Sequence, residues 1–387
     1  MIDKQKKILK INIKTLILIL YCFSLAMGIF KNSTFSHFRV FSVLSLLAIV
    51  VMVIISLLYI RFTFSQFLFF LIGMLIVSKG IINYYNSFEP YFYIVVLFFC
   101  MGNISPKKIL KYAEFTMVGC VIIILFSSLF HIIPDTVVYR AGIARHSLGT
   151  NYPLTLGSYI FFLCASFYVL YTGKSAKSNF ILGIIFIIVS WFLNKITGAR
   201  NFSLGIVAIA VFLICNNALS KICKKINMTI LTVITFILSI ISIFITNIIP
   251  YYSSLYQSLN LLLSGRLDMQ YELFKFYTPK LFGQYIYQIT GSNSLFYFFI
   301  DNSYARLLFV AGILFTIYYF CTLGNLFYKL INLNLQKLFL VFIVIMITGI
   351  VQGTAISPEA NIFLPLMCVR GELLKKDFIR ETNESNN

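Results

Sequence analysis

Residues 1–30 read MIDKQKKILKINIKTLILILYCFSLAMGIF, a basic segment followed by an apolar run. The apolar part is long enough to cross the roughly 30 Å core of a bilayer as an α-helix. A cleaved signal peptide begins in a similar way, but no small-residue cleavage site leads into a polar stretch here. We therefore interpret the segment as a retained first transmembrane helix. Apolar runs separated by short basic loops continue along the chain, and this pattern decides the fold class.

The composition of the 387 residues agrees with a membrane protein. Hydrophobic residues make up 60% of the sequence and charged residues 11%, and the mean hydropathy is +0.91. A soluble domain of this length would need far more polar surface. The net charge of +19 comes from short clusters between apolar runs, which is typical of membrane topology and anionic lipid contact rather than of a nucleic-acid groove. We predict one integral membrane domain over residues 1–387, with membrane lipid as a partner and no nucleic acid.

Apolar runs of spanning or nearly spanning length predict an all-α polytopic protein with about 11–12 transmembrane helices. The runs fall near residues 13–30, 40–60, 62–82, 88–104, 112–133, 153–172, 179–194, 199–217, 226–249, 300–323 and 338–356. A shorter run at 360–371 is doubtful as a span.

Lysine positions predict the orientation, because cytoplasmic loops of membrane proteins are enriched in Lys and Arg. Five lysine clusters lie at the amino terminus and in alternate loops, namely Lys4 to Lys14, Lys107 to Lys111, Lys174 with Lys177, Lys221 to Lys225, and Lys329 with Lys337. The predicted outer loops are then 31–39, 79–90, 134–152, 195–199, 250–299 and 357–360.

Arginines depart from this rule. Arg140 and Arg145 fall in the outer loop 134–152, Arg200 lies at an outer helix start, and Arg266 falls in the large outer loop 250–299. Arginine offers a planar fork of donors that matches two oxygens of a phosphate or carboxylate. Contact with phospholipid headgroups explains any one of them, but four in polar, turn-forming loops indicate an anionic ligand at the outer face.

Each of these loops carries other polar groups. In RHSLGTNYP, residues 145–153, His146 follows Arg145, and Asn151 is a candidate cap for a helix opened at Pro153. In TGAR, residues 197–200, a guanidinium joins the backbone N–H groups of a helix start, an arrangement suited to anions.

The large loop and the segment after it supply the acidic groups. After LSGR, residues 263–266, Asp268 and Glu272 are four residues apart and share one helix face. In DNSYARLL, residues 301–308, Asp301 is predicted to cap the following helix, with Asn302 a near equivalent.

The order of these motifs resembles the bacterial polysaccharide polymerases of the O-antigen and capsule type, called Wzy. RHSLG with Asn-x-Pro, TGAR, LSGR with a later LFGQ, and DNSYARLL followed by GI appear in the same order as in that family, over roughly residues 138–313. The stretch QGTAISPEANIFLP is similar to the family's final acidic loop through Glu359.

The resemblance implies a glycosyltransferase C-type fold and a reaction in the bacterial plasma membrane. Such enzymes transfer a polymer held on undecaprenyl pyrophosphate to an incoming lipid-linked repeat unit at the non-cytoplasmic face. No cofactor and no metal are implied. The partners implied are the undecaprenyl-pyrophosphate-linked oligosaccharide and, in the same pathway, a chain-length regulator and a flippase.

Candidate residues follow from charge chemistry and from the resemblance. Arginines stabilise the pyrophosphate that leaves, and an acceptor hydroxyl needs a base or an orienting acceptor. The predicted catalytic residues are Arg145, Arg266, Asp268 and His146. The predicted substrate-binding residues are Arg140, Arg200, Glu272, Asp301, Asn302, Tyr304 and Glu359. Asp268 is equally a partner for Arg266 or Lys275 in a surface ion pair.

Rival functions remain open. A polysaccharide ligase of the same fold uses the same donor, although such ligases usually carry a histidine in the large outer loop and residues 250–299 contain none. A lipid-linked oligosaccharide flippase handles the same lipid but is expected to line a central cavity with cations. An ion-coupled transporter is disfavoured because the apolar runs hold few ionisable residues.

Overall fold

The computed structural model describes residues 12–37, 40–140, 142–172, 175–215, 227–289 and 298–379. Several residues named above lie outside this part of the chain, namely Lys4, Lys6, Lys7, Lys10, Lys174, Lys221, Lys224 and Lys225. The side chain of Arg140 also lies outside it, so the predicted role of Arg140 stays a prediction.

Helices make up most of the described chain. In order they are α1 (Ile13–Lys31), α2 (Val40–Tyr59), α3 (Phe64–Met101), α4 (Pro106–Leu129), α5 (Pro153–Tyr171), α6 (Ala176–Thr197), α7 (Arg200–Ile214), α8 (Met228–Ile248), α9 (Ser254–Leu262), α10 (Arg266–Phe276), α11 (Ser303–Arg306), α12 (Ile313–Asn332), α13 (Gln336–Gly349) and α14 (Gly371–Phe378). Strands β1 (Val137–Arg140) and β2 (Ile143–His146) form one antiparallel hairpin.

Eight of these helices are long and apolar enough to cross a membrane, namely α1 to α6, α8 and α12. Two shorter apolar helices, α7 and α13, match the predicted runs at 199–217 and 338–356. Many of the long apolar helices expose isoleucine and phenylalanine side chains, and these are most numerous on α6 and α8. The prediction of an all-α, multi-pass membrane protein is confirmed at this level.

Local sequence chemistry sets several helix ends. Ser105 caps α4 by accepting a hydrogen bond from the N–H of Lys108, and Pro106 occupies the first helical position, where its missing N–H costs nothing. Helix α6 ends at Gly198, whose φ of 63° lies in the left-handed region that glycine adopts without strain. Helix α7 can therefore start two residues later and fold back along α6.

Two predicted spans, 62–82 and 88–104, are the arms of the single helix α3. The helix bends at Tyr84, where φ is −146° and ψ is 52°. Pro90, inside the helix, has no N–H and its ring clashes with the carbonyl four residues earlier, so a regular helix cannot run through this stretch. The predicted outer loop 79–90 is therefore wrong as a loop, because the bend takes its place.

Long-range hydrogen bonds sort the loops into two ends of the molecule. At one end, Lys337 Nζ donates to the carbonyl of Thr172 over 2.8 Å, and Ser105 Oγ donates to Asp377. The Arg370 N–H donates to the carbonyl of Gly102 over 3.2 Å. We call this end, built from residues 102–108, 172, 329–337 and 369–377, the lysine end.

The opposite end collects the predicted outer loops. The Thr34 N–H donates to the carbonyl of Gly149 over 2.8 Å, and Asn151 Nδ2 donates to the carbonyl of Lys31 over 3.2 Å. Asn201 Nδ2 donates to the carbonyl of Thr348 over 3.1 Å. We call this end, built from residues 31–34, 134–152, 198–201, 263–268, 300–306 and 348–359, the arginine end.

The doubtful run at 360–371 carries the chain from one end to the other without a long helix. Glu359 packs its Cγ against Gly28 near the arginine end, and Arg370 bonds to Gly102 at the lysine end. Between them lies one 3-10 turn, Leu364–Cys368, and every residue from 358 to 369 except Cys368 is buried. Non-helical backbone at membrane depth is tolerated where protein surrounds it.

Candidate functional site

Arg266 and Asp301 form an ion pair at the arginine end. Nε of Arg266 donates to Oδ2 of Asp301 over 2.8 Å, and the two side chains are 16% and 15% exposed. A second guanidinium nitrogen of Arg266 donates to the carbonyl of Leu263 over 3.3 Å. The pair lines a cleft of about 50 Å³ together with Gln270, Asn302 and apolar side chains. A guanidinium bonded to protein through two of its nitrogens keeps a fixed orientation in the wall of the cleft.

The cap of α11 is Asn302 and not Asp301, which corrects the prediction. Oδ1 of Asn302 accepts hydrogen bonds from the N–H groups of Tyr304 and Ala305 over 2.9 and 3.1 Å. The Asn302 amide donates to the carbonyl and the hydroxyl of Ser242 in α8. Both residues are good caps and are adjacent, so sequence alone does not separate them. The Asp301 carboxylate is thereby left to pair with Arg266.

Asp268 joins α9 to α10 and does not form the predicted ion pair with Arg266 or Lys275. It accepts hydrogen bonds from the Tyr256 hydroxyl over 3.2 Å and from Asn260 Nδ2 over 2.5 Å. Burial raises the pKa of the Tyr256 hydroxyl, and the neighbouring Asp268 carboxylate raises it further. The predicted catalytic role of Asp268 stays a prediction.

A tyrosine cluster lies beside Asp268 and Glu272. Tyr251 lies 4.5 Å from Tyr271 and 5.0 Å from Tyr256 between ring centroids. Asp268, more than any other group, raises the pKa of the Tyr251 hydroxyl, and Glu272 adds to this. Tyr252, packed edge-on against Tyr251, is 88% exposed. Exposed rings with carboxylates nearby suit the apolar faces and hydroxyls of sugars.

The hairpin β1–β2 positions Arg145 and His146 on opposite faces, as successive strand residues must be. Nδ1 of His146 lies 2.6 Å from Oδ2 of Asp135, and the other oxygen of Asp135 accepts the N–H of Leu148 over 2.7 Å. This carboxylate orients the imidazole, whose side chain is 46% exposed. Asp135 was not among the predicted residues. Val137 pairs with His146 across the hairpin, which brings Asp135, two residues before Val137, close to the imidazole.

Arg145 faces the junction between α6 and α7. A Cβ placed on Gly198 would lie 2.7 Å from Nε of Arg145, so the guanidinium rests directly on the glycine backbone. Arg200, two residues on, is the first residue of α7 and its side chain is exposed. The TGAR motif therefore places Arg200 at the start of α7, and its Gly198 leaves room for Arg145 from the hairpin.

Other predicted residues lie in the protein interior near this end. Glu359 is buried and accepts a hydrogen bond from Ser357 Oγ over 2.8 Å. Tyr304 is also buried, and its hydroxyl donates to the carbonyl of Met346 over 2.8 Å. Asn151 does not cap α5, because Tyr152 takes that position and the Asn151 amide reaches Lys31 instead.

Sequence reasoning missed a partly buried ion pair between Lys31 and Glu89. Nζ of Lys31 lies 2.6 Å from Oε2 of Glu89, and Glu89 is buried within α3, beside Pro90. An acidic residue inside an apolar run is the signal that could have drawn attention to it. The pair fixes the end of α1 to the bend of α3.

No group of three or more His, Cys, Asp or Glu side chains among the described residues is arranged to hold a metal ion. The expectation of a metal-independent protein stays a prediction.

Comparisons of the chain with protein-family models, with curated proteins and with solved structures find no match. The resemblance to Wzy polymerases therefore rests on the order of the sequence motifs alone.

Proposed function

We propose that this protein polymerises undecaprenyl-pyrophosphate-linked oligosaccharide repeat units at the outer face of a bacterial plasma membrane. One observation carries the proposal. Arg145, Arg200, Arg266 and Arg306 all lie at the end opposite the described lysine clusters, three of them partly buried. A guanidinium at a site shielded from water stabilises phosphate charge more strongly than one in solution.

Arg266 is the residue proposed to contact the donor pyrophosphate. Asp301 holds its Nε, and Leu263 holds a second nitrogen, so the fork is orientated before any ligand arrives. Charge on the pyrophosphate oxygens grows as the bond to the sugar breaks. A guanidinium that is already orientated then stabilises the transition state more than the ground state.

Arg145 and Arg306 supply further positive charge at this end. Arg306 lies 5.6 Å from the ring centroid of Phe299, and a Cβ on Gly353 would come within 3.3 Å of its guanidinium. Gly198 and Gly353 thus each give an arginine room at a helix junction.

His146 is the group proposed to take the proton of the acceptor hydroxyl. Asp135 fixes its ring through Nδ1, which is the arrangement of an orientated general base. In the proposed step the acceptor oxygen attacks the anomeric carbon of the growing chain and passes its proton to Nε2. The bond from that carbon to pyrophosphate breaks, and undecaprenyl pyrophosphate leaves with the electron pair.

The tyrosine cluster around Tyr251 is the proposed platform for the sugar units. Tyr252 is exposed, while Asp268 and Glu272 lie close by as hydrogen-bond acceptors. Aromatic faces bind the C–H faces of sugar rings, and carboxylates orient the hydroxyls.

A deletion strain of the source bacterium tests the proposal. The strain is complemented with the native chain or with Arg266→Ala, at matched membrane levels, and its surface polysaccharide is separated on gels. We expect a ladder of repeats from the native chain and single repeat units from Arg266→Ala. If the protein is a ligase, the Arg266→Ala strain should instead keep a full ladder on the lipid carrier, unattached to its final acceptor. If the protein is a flippase, the repeat units of that strain should stay on the cytoplasmic face.

A further inference from the structure

A cavity of about 360 Å³ opens at the lysine end, far from the arginines described above. Its walls are the beginning and end of α3, the second half of α12, and the buried turn around Cys368. Its volume falls within the roughly 300–1,000 Å³ range of small-molecule sites.

The inner part of this cavity is aromatic. Phe69 stacks on Tyr318 with ring centroids 4.3 Å apart, and Phe70 stacks on Phe99 with centroids 4.1 Å apart. All four rings line the cavity. A surface of stacked rings is suited to hydrocarbon.

The outer part of the cavity is cationic. Lys329, in the last turn of α12, and Arg370, just before α14, both line it. Lys329 Nζ donates to the carbonyl of Val369 over 3.1 Å, which uses one of the three N–H bonds of an ammonium group. Tyr318 and Lys329 are eleven residues apart on one helix, so the aromatic and cationic parts are separated by about 16 Å.

Tyr318 is held in place by α3. Its side chain is 5% exposed, and a Cβ placed on Gly73 would lie 2.9 Å from its hydroxyl oxygen. The ring therefore has a fixed position in the wall of the cavity.

The cavity opens sideways along α12. Cys321 and Asn325 are exposed, four residues apart on one helix face, and Ser65 at the start of α3 is exposed opposite them. A ligand can therefore enter from the lipid at this depth as well as from the solvent at the membrane surface.

We propose that this cavity binds an anionic phospholipid from the leaflet at the lysine end. The phosphate lies between Lys329 and Arg370, the glycerol ester region reaches toward Asn325, and one acyl chain lies against the stacked rings. The leaflet at a lysine-rich end of a membrane protein is the one in which anionic lipid is concentrated. This inference does not depend on the proposed polymerase chemistry at the other end.

A single tryptophan makes the test direct. The chain contains one tryptophan, Trp191, which is 56% exposed on α6. Replacing it as Trp191→Phe and adding Cys321→Trp places the only fluorophore at the mouth of the cavity. The purified protein is then placed in phosphatidylcholine vesicles with increasing amounts of brominated phosphatidylglycerol or brominated phosphatidylcholine, whose bromines quench tryptophan on contact.

We expect brominated phosphatidylglycerol to quench Cys321→Trp at a mole fraction at least about fivefold lower than brominated phosphatidylcholine does. Native Trp191, facing bulk lipid, should show no such preference. Adding Lys329→Met or Arg370→Gln should each reduce the preference, and the two variants guard against one failing to fold. Equal quenching by the two lipids at Cys321→Trp would overturn the proposal. Loss of the preference on adding inorganic phosphate, at matched ionic strength, would also overturn it, because the site would then bind free phosphate.

Discussion

The guanidinium of Arg266 and the carboxylate of Asp301 meet across 2.8 Å although 35 residues separate them in the chain. The bond ties the first residue of α10 to the residue just before the cap of α11. Both side chains are mostly buried, so the pair is shielded from water and its geometry is fixed. Two nitrogens of the guanidinium are bonded to protein, and Arg266 lines the cleft at the arginine end.

Replacing Arg266 by lysine tests whether the two-pronged donor matters. We expect Arg266→Lys and Arg266→Ala to lower the elongation rate by about 100- to 1,000-fold each, because lysine keeps the charge but cannot bond two phosphate oxygens from a fixed fork. Elongation of lipid-linked repeat units by purified protein is the measurement. Lys275→Ala, an exposed cation on the same helix, is the matched control and should keep full activity. Normal elongation by Arg266→Lys would show that only the positive charge at position 266 is needed, and not the two-pronged hydrogen bonding of arginine.

Gly198 tests the position of Arg145. We expect Gly198→Ala to lower elongation at least about tenfold, because the new methyl group would displace the Arg145 guanidinium and an alanine at φ 63° is strained. Gly119→Ala is the matched control, since a Cβ there meets nothing within 4 Å. That variant should elongate normally and gain up to about 1 kcal/mol of stability. Full activity in Gly198→Ala would show that the placement of Arg145 is not required.

The positions of most spans were predictable from hydropathy. The predicted spans 153–172 and 226–249 match Pro153–Tyr171 and Met228–Ile248 to within two residues. The burial requirement in a bilayer acts on every residue of a span, so the signal is strong. The bend of α3 was not predictable in the same way, because polar residues around Tyr84 read equally as a loop and as an interrupted helix.

The site was predictable only in part. Positive-inside counting predicted that the arginine-bearing loops share one end, and the structure brings these loops together there. The pairings of Arg266 with Asp301, and of His146 with Asp135, were not predicted, because they depend on how helices and strands pack rather than on local pattern. Glu89 was overlooked for the same reason, since its partner Lys31 lies 58 residues away.

The Asp135–His146 pair gives a prediction about proton transfer. We expect His146→Asn to lower elongation by about 100-fold or more, and Asp135→Asn to do so to a similar extent, because the second change releases the ring from its orientation. His131→Asn is the matched control, an exposed histidine at the same end whose φ of 56° asparagine tolerates. Repeat-unit transfer by purified protein is measured for all three. Activity in His146→Asn equal to that of His131→Asn would exclude a catalytic role for His146.

The orientation of the two ends can be read by labelling single cysteines in a background with all eight native cysteines removed. We expect Tyr139→Cys and Tyr252→Cys to react with a membrane-impermeant maleimide added to intact cells, because both positions are exposed at the arginine end. Lys108→Cys, exposed at the lysine end, should react only after the membrane is opened. The reverse pattern would invert the topology and remove the argument from the arginines.

The most direct test of the central claim is elongation in a purified system. The protein is placed in vesicles with undecaprenyl-pyrophosphate-linked repeat units extracted from the deletion strain, in excess chelator, and both polymer length and released undecaprenyl pyrophosphate are measured. We predict a ladder of products, with one undecaprenyl pyrophosphate released for each repeat added, and a loss of both signals in Arg266→Ala. Repeat units that stay single while the protein is folded, or a ladder that forms only when magnesium or manganese is supplied, would contradict this account.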